Sequence, residues 1–267
     1  MLSNNLLSYA NMSVQNILEM FEKGENPIFI IPVNVNATVK SSTNWLMSQN
    51  VVAYLDASDS KKEKEYIVIG AHYDHIGVRT EGDSLQIFNG ADDNASGVAG
   101  VLEIAEKLKT EKKLKYNFIF VAFGAEEMGL VGSRVFCNNP PVPLEKIKLM
   151  VNLDMIGRMD SNNQILMHTI EINEQLNTEL ERIKKQHPQI NANLSFDSYL
   201  RGSDHASFFN KKIPSISFTT GLHKDYHKTT DTPDAINYEG GKLLLAFVYD
   251  FIRIYSVPFS AAGKDGI

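Results

Sequence analysis

Three nearly unbroken apolar stretches stand out in the pattern of hydrophobic and polar positions, and each runs into acidic or imidazole side chains. They are Tyr66–Ala71 followed by His72, Asn117–Phe123 followed by Glu126 and Glu127, and Lys148–Leu153 followed by Asp154. Continuous apolar runs of this length predict buried strands of a parallel sheet. Open α/β sheets bind ligands at the carboxyl ends of their strands. If these strands are parallel neighbours, the polar side chains converge on one site.

The rest of the chain alternates between helical and strand patterns. Helical spacing of apolar residues predicts helices at Ser13–Glu22, Val98–Leu108, Gly129–Phe136, Glu171–Lys185, Ser203–Asn210 and Lys242–Tyr255. Shorter apolar or alternating runs predict strands at Pro27–Val33, Val35–Val39, Val51–Leu55, Gln164–His168 and Ser215–Thr219. The glycine-, aspartate- and serine-containing stretch Gly77–Asn89 is interpreted as a loop over the site. The alternation predicts an α/β protein, a helix–sheet–helix sandwich with a mixed, mostly parallel central sheet.

Within the predicted helix Val98–Leu108, we expect one apolar face to carry Val101, Leu102, Ala105 and Leu108. The predicted elements also divide the chain into three parts. We expect an N-terminal segment at residues 1–48, either the end of an accessory region or a trimmed terminus, then the main domain at 49–258 and a flexible tail at 259–267.

Length and charge exclude some classes of protein. The 267 residues suffice for one large α/β domain, and a net charge of −6 gives no support for nucleic-acid binding. No apolar run is long enough to span a membrane, and no signal peptide is visible at the start. The single cysteine, Cys137, has no basic partner in the sequence and is interpreted as a small buried residue.

Five side chains are candidate metal ligands, and each lies at a strand end, a helix start or a loop: His72, Asp93, Glu127, Asp154 and His227. Imidazole nitrogen and carboxylate oxygen without thiolate suit Zn²⁺ and other first-row divalent metals. One catalytic zinc takes three protein ligands and a water, so five groups predict two metals that share a bridging carboxylate. Three carboxylates and one hydroxide would balance two divalent ions, which makes a buried site tolerable.

The pair Glu126–Glu127 follows a buried strand, which indicates more than a solvated turn. Consecutive side chains of an extended segment point in opposite directions. One carboxylate can therefore bind metal while the other acts as general base and then gives its proton to a leaving amine. The residues alone do not say which of the two does which.

Six segments together resemble the co-catalytic di-zinc aminopeptidases, the peptidase family that includes leucyl aminopeptidases and glutamate carboxypeptidase II. They are Gly70–His75, Gly90–Gly97, Ala125–Gly129, Asn152–Gly157, Ser203–His205 and Tyr226–Thr232, in that order within roughly residues 50–255. The resemblance implies a zinc exopeptidase fold with two Zn²⁺ per chain. The implied reaction is hydrolysis of the N-terminal peptide bond of a peptide with a free amine, by a metal-bound hydroxide. Many members are exported, so a secreted or periplasmic location is implied, and a cytoplasmic one stays open.

The resemblance also implies a role for each site residue. His72 and Asp154 would hold one zinc and Glu127 and His227 the other, with Asp93 as the bridge. The same resemblance implies the remaining roles: Glu126 as general base, Tyr226 as donor to the oxyanion, and Asp74 as the hydrogen-bond partner that fixes the tautomer of His72.

Several alternatives stay open at this point. Asp92 competes with Asp93 for the role of metal ligand, and either could instead cap the following helix. His75, His205 and His223 compete with His227 for the same role. The segment Ser203–His205 is interpreted as support for the site. A glutaminyl cyclase shares the fold and typically works with one zinc. A receptor-like domain that binds without catalysis is the third alternative, but such members lose ligands.

Overall fold

The structure is a computed structural model. It describes residues 11–26, 34, 36, 38–41, 46–57, 64–111, 114–169, 174–195 and 202–256. The predicted strands at 27–33 and 35–39 lie wholly or partly outside these residues, and the tail at 259–267 lies outside them entirely. The chain divides into two compact units, Met1–Leu46 and Met47–Ile267. The predicted accessory nature of the N-terminal segment stays a prediction.

The first unit contains helix α1, Val14–Glu22. It begins as expected at Ser13, whose side chain accepts a hydrogen bond from the backbone N–H of Asn16. A side-chain acceptor at this position satisfies a donor that the first helical turn leaves without a partner. The helix buries no residue, and Val14, Leu18 and Phe21 are exposed.

Within the described residues, the second unit is built on a sheet of seven strands. The elements in chain order are β1 Val51–Leu55, β2 Tyr66–His72, β3 Gly77–Glu81, β4 Ser84–Phe88, α2 Gly97–Leu108, β5 Asn117–Phe123, α3 Val131–Asn138, β6 Ile147–Leu153, β7 Gln164–His168, α4 Glu174–Gln186, β8 Asn191–Ser195, α5 His205–Phe209, β9 Ser215–Thr219 and α6 Tyr238–Tyr255. The strand order is β1-β5-β2-β6-β9-β7-β8. Strands β5, β2, β6 and β9 run parallel, whereas β1 pairs antiparallel with β5 and β7 with β9. The predicted mixed, mostly parallel sheet is confirmed.

Helices cover both faces of this sheet because the central strands are apolar on both sides. In β2, Ile67 and Ile69 belong to one core cluster and Val68 to the other, as the two-residue period of a strand requires. The first cluster includes side chains of α2, α4 and α6, and the second includes side chains of α3 and α5. The predicted helix–sheet–helix sandwich is therefore confirmed. Cys137 is buried in the second cluster, where burial raises the pKa of its thiol to about 12.

The segment Gly77–Asn89 is a β-hairpin and not the predicted loop. Strands β3 and β4 pair antiparallel, with Val78 opposite Ile87, around a two-residue turn at Gly82 and Asp83. Gly82 has φ +59, the left-handed conformation that short hairpin turns require. The polar residues that indicated a loop alternate with apolar residues along two short strands.

Two further expectations need correction. In α2 the buried side chains are Val101, Ile104 and Leu108, while Leu102 is 66% exposed. Residues three or four positions apart lie on one helix face, and residue 102 lies about a quarter turn away from that face. Strand β8 was not predicted because its sequence, Asn-Ala-Asn-Leu-Ser, is largely polar. It lies at the edge of the sheet, where a strand pairs with only one neighbour.

None of the helices in the described ranges combines the length and apolar content that crossing a bilayer requires. The compartment inferred from the resemblance stays a prediction.

Candidate metal centre

The carboxyl ends of three parallel strands bring the predicted ligands together. His72 ends β2, which pairs in parallel with β5 on one side and β6 on the other. Glu127 follows β5 and Asp154 follows β6, so all three lie at one edge of the sheet. Asp93 comes from the irregular turn before α2, and His227 from the loop after β9.

Two groups of contacts share one aspartate. In the first group, His72 Nε2 lies 3.3 Å from Asp93 Oδ1 and 3.5 Å from Asp154 Oδ1. In the second group, His227 Nε2 lies 3.2 Å from Asp93 Oδ2 and 3.3 Å from Glu127 Oε2. Each oxygen of Asp93 therefore faces a different histidine, which is the arrangement that a bridging carboxylate needs.

These separations fit metal ligands. Two atoms that each lie about 2.0–2.1 Å from one tetrahedral zinc are about 3.3 Å apart. The four contacts span 3.2–3.5 Å, whereas direct N–H···O hydrogen bonds are most often about 2.9–3.0 Å long. Imidazole nitrogens and carboxylate oxygens without thiolate are also a donor set that zinc accepts. Both the spacing and the chemistry of the donors fit zinc.

The charges of the cluster favour a cation in its interior. Burial by itself lowers the pKa of His72, but the carboxylates of Asp154 and Asp93 outweigh it and raise that pKa well above its usual range. Burial likewise favours neutral Asp154, yet its contact with His72 lowers the pKa of this carboxyl. Buried carboxylates in this arrangement require a positive partner, and a divalent metal supplies one.

Asp74 contacts His72 through a different atom from the one expected. His72 Nδ1 lies 3.0 Å from the backbone carbonyl oxygen of Asp74, whereas the carboxylate of Asp74 is 3.9 Å away. That carboxylate instead accepts hydrogen bonds from the backbone N–H groups of Glu126 and Glu127, at 3.0 and 3.2 Å. One residue thus sets the tautomer of His72 and also holds the turn that carries both glutamates.

Glu126 lines the same cavity as the ligand candidates but belongs to neither contact group. The cavity, about 440 Å³ in volume, is also lined by Asp93, Glu127 and Tyr226. Since both glutamates line it, they do not point to opposite sides as an extended segment would require; the segment is a turn, with Ala125 at φ +55. Burial raises the pKa of Glu126 to about 8; His72 opposes this shift, and the charges of Asp154, Asp204 and Glu127 add to it.

Tyr226 stands beside His227, with the two rings stacked at a centroid distance of 3.8 Å. Burial raises the pKa of the phenol to about 12, and the surrounding carboxylates add to this shift. The hydroxyl therefore keeps its proton at neutral pH and can donate a hydrogen bond into the cavity.

Left-handed backbone conformations occur next to the candidate ligands. Ala125 precedes Glu126, Met155 follows Asp154, and His227 is itself left-handed, with φ values of +55, +56 and +56. Such a conformation costs a residue with a side chain about 1–2 kcal/mol. Strain of this kind clusters where the surrounding structure enforces a functional geometry.

A buried ion pair, which the sequence reasoning missed, holds the turn that carries Asp93. Asp231 is fully buried, and its Oδ2 accepts hydrogen bonds from the backbone N–H groups of Asp92 and Asp93, at 2.9 and 3.1 Å. Its Oδ1 lies 2.9 Å from Arg158 Nη2. Asp231 belongs to the segment Tyr226–Thr232, which the sequence singles out as a motif. Its contact with the backbone of Asp92, 139 positions earlier, cannot be seen in that segment.

The variant Asp231→Asn is expected to destabilise the metal-free protein by about 3 kcal/mol, because an amide cannot accept from both the backbone N–H groups and Arg158. Urea unfolding measures the loss. Asp160→Asn is the matched control, since Asp160 also accepts backbone hydrogen bonds, from Asn162 and Gln164, but is exposed. Equal losses in the two variants would contradict a special role for Asp231.

The other candidates have different surroundings. Asp92 points away from the two groups, accepts the backbone N–H of Gly157 at 2.6 Å and lies 3.2 Å from His223 Nε2. Ser203 accepts a hydrogen bond from Asn152 Nδ2, and this contact fits the expected supporting role of its segment. His75 Nδ1 lies 2.9 Å from Glu127 Oε1, at the second contact group.

Comparisons with known proteins show the family of this chain and its similar folds. The model of the family described as Peptidase family M28 matches residues 50–251. Aminopeptidase YwaD of Bacillus subtilis (strain 168) is 28% identical over 236 residues, which cover 82% of this chain and 48% of YwaD. A solved structure of BSAP, a zinc aminopeptidase from Bacillus subtilis, superposes with a TM-score of 0.61 at 24% identity, over 75% of this chain and 49% of that one.

A glutaminyl cyclase also shares the fold. The structure of the Porphyromonas gingivalis enzyme superposes with a TM-score of 0.58 at 19% identity and covers 76% of both chains. The chain spans less than half the length of YwaD and of leucine aminopeptidase 2 of Trichophyton rubrum, at 48% and 42%.

Proposed function

The chain belongs to peptidase family M28, and from this premise we propose that it is a zinc-dependent aminopeptidase. One observation carries the proposal: the two oxygens of Asp93 face two separate histidines at 3.3 and 3.2 Å, each histidine with a second carboxylate beside it. Such a pair of sites would hold two metals side by side.

The distances suggest which residues hold each ion. His72 and Asp154 would hold one zinc, Glu127 and His227 would hold the other, and Asp93 would bridge them. When bound, the zinc ions would polarise the carbonyl of the scissile bond and make water a stronger nucleophile at neutral pH.

Glu126 would move the proton in this reaction. It lines the cavity without taking part in either contact group, so its carboxylate is free to accept a proton from the attacking water. It would then pass that proton to the amine that leaves. Burial raises the pKa of Glu126, so its carboxylate, once ionised, is a stronger base than that of an exposed glutamate.

The remaining groups would bind the substrate. Tyr226 keeps its proton and lines the cavity, so it can donate a hydrogen bond to the oxygen that becomes negative. Carboxylate oxygens that line the cavity, such as those of Glu126, could accept hydrogen bonds from the free α-amine of a peptide, which a blocked end would not offer.

A glutaminyl cyclase is the second candidate. In its favour, the fold of the P. gingivalis enzyme matches over 76% of each chain. The presence of five candidate ligands in two groups favours the two-zinc peptidase. It also disfavours a receptor-like domain, which would have no need for them.

A substrate screen separates the three candidates. Zinc-loaded protein is expected to bind two ions per chain and to release p-nitroaniline from unblocked amino-acid p-nitroanilides, and not from their N-acetylated forms. One zinc per chain, together with conversion of an N-terminal glutamine to pyroglutamate, would replace the proposal by the cyclase. Absence of both reactions in zinc-loaded protein would contradict catalysis altogether.

A further inference from the structure

His75 lies at the second contact group. Its side chain is only 8% exposed, and Nδ1 lies 2.9 Å from Glu127 Oε1 and 3.6 Å from Asp93 Oδ2. His75, Asp93 and Glu127 are close enough to one another to form a metal-binding group in place of the one with His227. The second site therefore has two histidines, and the distances distinguish their roles.

The contact of His75 has the length of a hydrogen bond. Its 2.9 Å matches the usual N–H···O distance, whereas His227 keeps the spacing of about 3.3 Å that two ligands of one zinc have. The acceptors near His75 Nδ1 are carboxylate oxygens, which cannot donate when ionised. Nδ1 must then carry the proton, and a protonated nitrogen has no lone pair for a metal.

We propose that His75 is a positioning residue for Glu127. It donates its Nδ1–H to Oε1, so Glu127 presents the other oxygen, Oε2, toward His227 and the second zinc. This inference rests on the proposed zinc site and adds a residue to it. Hydrogen bonds of this kind orient a metal ligand, and their removal typically lowers metal affinity about 10–100-fold.

Gly90 fixes the ring of His75. A Cβ atom at Gly90 would lie 2.8 Å from Cγ of His75, closer than two such atoms can approach, so the backbone at Gly90 is packed directly on the imidazole. The ring also meets that of His227 edge-on, with centroids 5.7 Å apart. His75 and Gly90 stand before and after the hairpin β3–β4, so their contact closes the base of the hairpin beside the second site.

Two substitutions at position 75 separate a hydrogen-bond donor from a metal ligand. In His75→Asn, the amide nitrogen takes the place of Nδ1 and can donate to Glu127, but it cannot coordinate zinc. His75→Ala has neither ability. Equilibrium competition with a chromophoric chelator gives the two zinc dissociation constants of each variant. We expect one constant to rise about 10–100-fold in His75→Ala and to stay near the wild-type value in His75→Asn.

His187→Ala is the matched control. His187 is also a largely buried histidine with a ring nitrogen, Nε2, 3.0 Å from a carboxylate, that of Asp250, and it belongs to neither contact group. Its loss should leave both zinc constants unchanged. The melting temperatures of the metal-free variants show whether each is folded before zinc is added.

The other outcomes overturn the inference. Equal loss of affinity in the Asn and Ala variants would make His75 a ligand, and unchanged constants in His75→Ala would make it a bystander. Either result would leave the proposed function intact if the wild-type protein binds two zinc ions and cleaves its substrates. A wild-type protein that binds no zinc would overturn both proposals together.

Discussion

Replacement of Glu126 by glutamine is expected to remove nearly all turnover while the protein keeps two zinc ions. Glutamine has the shape of glutamate, and the backbone N–H of Glu126 that binds Asp74 is retained, so the turn should keep its position. What is lost is the proton acceptor, and positioned general bases contribute about 10²–10⁴-fold to rates. Steady-state kcat with an amino-acid p-nitroanilide and zinc content per chain are measured on the same preparation.

The neighbouring variant Glu127→Gln is the comparison for this experiment. Glu127 Oε2 faces His227 Nε2 at 3.3 Å, so its loss should lower zinc content together with turnover. Unchanged turnover in Glu126→Gln would eliminate the base assignment. Loss of zinc in that variant would instead place Glu126 among the ligands, and the roles of the two glutamates would have to be exchanged.

The central sheet could be predicted from the sequence because its signal is local. Both ends of Asn117–Phe123 and the start of β2 at Tyr66 were predicted correctly, since an uninterrupted apolar run has few alternatives to a buried strand. The position of Asp154 after such a run also follows from the pattern. Helix ends were less accurate: α6 begins at Tyr238 and not at 242, because Asn237 caps a first turn that contains two glycines.

What the sequence did not reveal depends on contacts between distant segments. Asp74 was assigned to His72 through its carboxylate, yet in the structure the backbone carbonyl takes that role and the carboxylate holds residues 126 and 127. A residue pattern does not show which atom of a side chain or backbone faces a partner. The pairing of Asp231 with Arg158, 73 positions apart, is hidden for the same reason.

The competition among histidines shows the same limit. His75 and His227 are 152 positions apart by number, and both reach Glu127, one at each oxygen. The resemblance to a family selects His227 as the ligand because of its motif. The hydrogen-bond contact of His75 and the ligand contact of His227 differ by only 0.4 Å in length, 2.9 against 3.3 Å. Only the folded chain contains that information.

Removal of zinc is expected to lower the melting temperature of the protein by roughly 8–16 °C. A ligand at about a thousand times its Kd adds about 4 kcal/mol to the free energy of unfolding. In a domain of 150–250 residues, each kcal/mol corresponds to about 2–4 °C. Calorimetry or fluorescence melting before and after chelation, followed by restoration with zinc, measures the change.

Asp93→Asn tests whether the two sites share one residue. Because each oxygen of Asp93 faces a different histidine, this single change weakens both sites, whereas loss of any other proposed ligand weakens one directly. We therefore expect Asp93→Asn to lose most of the zinc-dependent rise in melting temperature. Asp154→Asn should keep the part due to the second site, and the exposed control Asp160→Asn should keep all of it. A full zinc response in Asp93→Asn would mean that these acids and imidazoles do not form one metal centre.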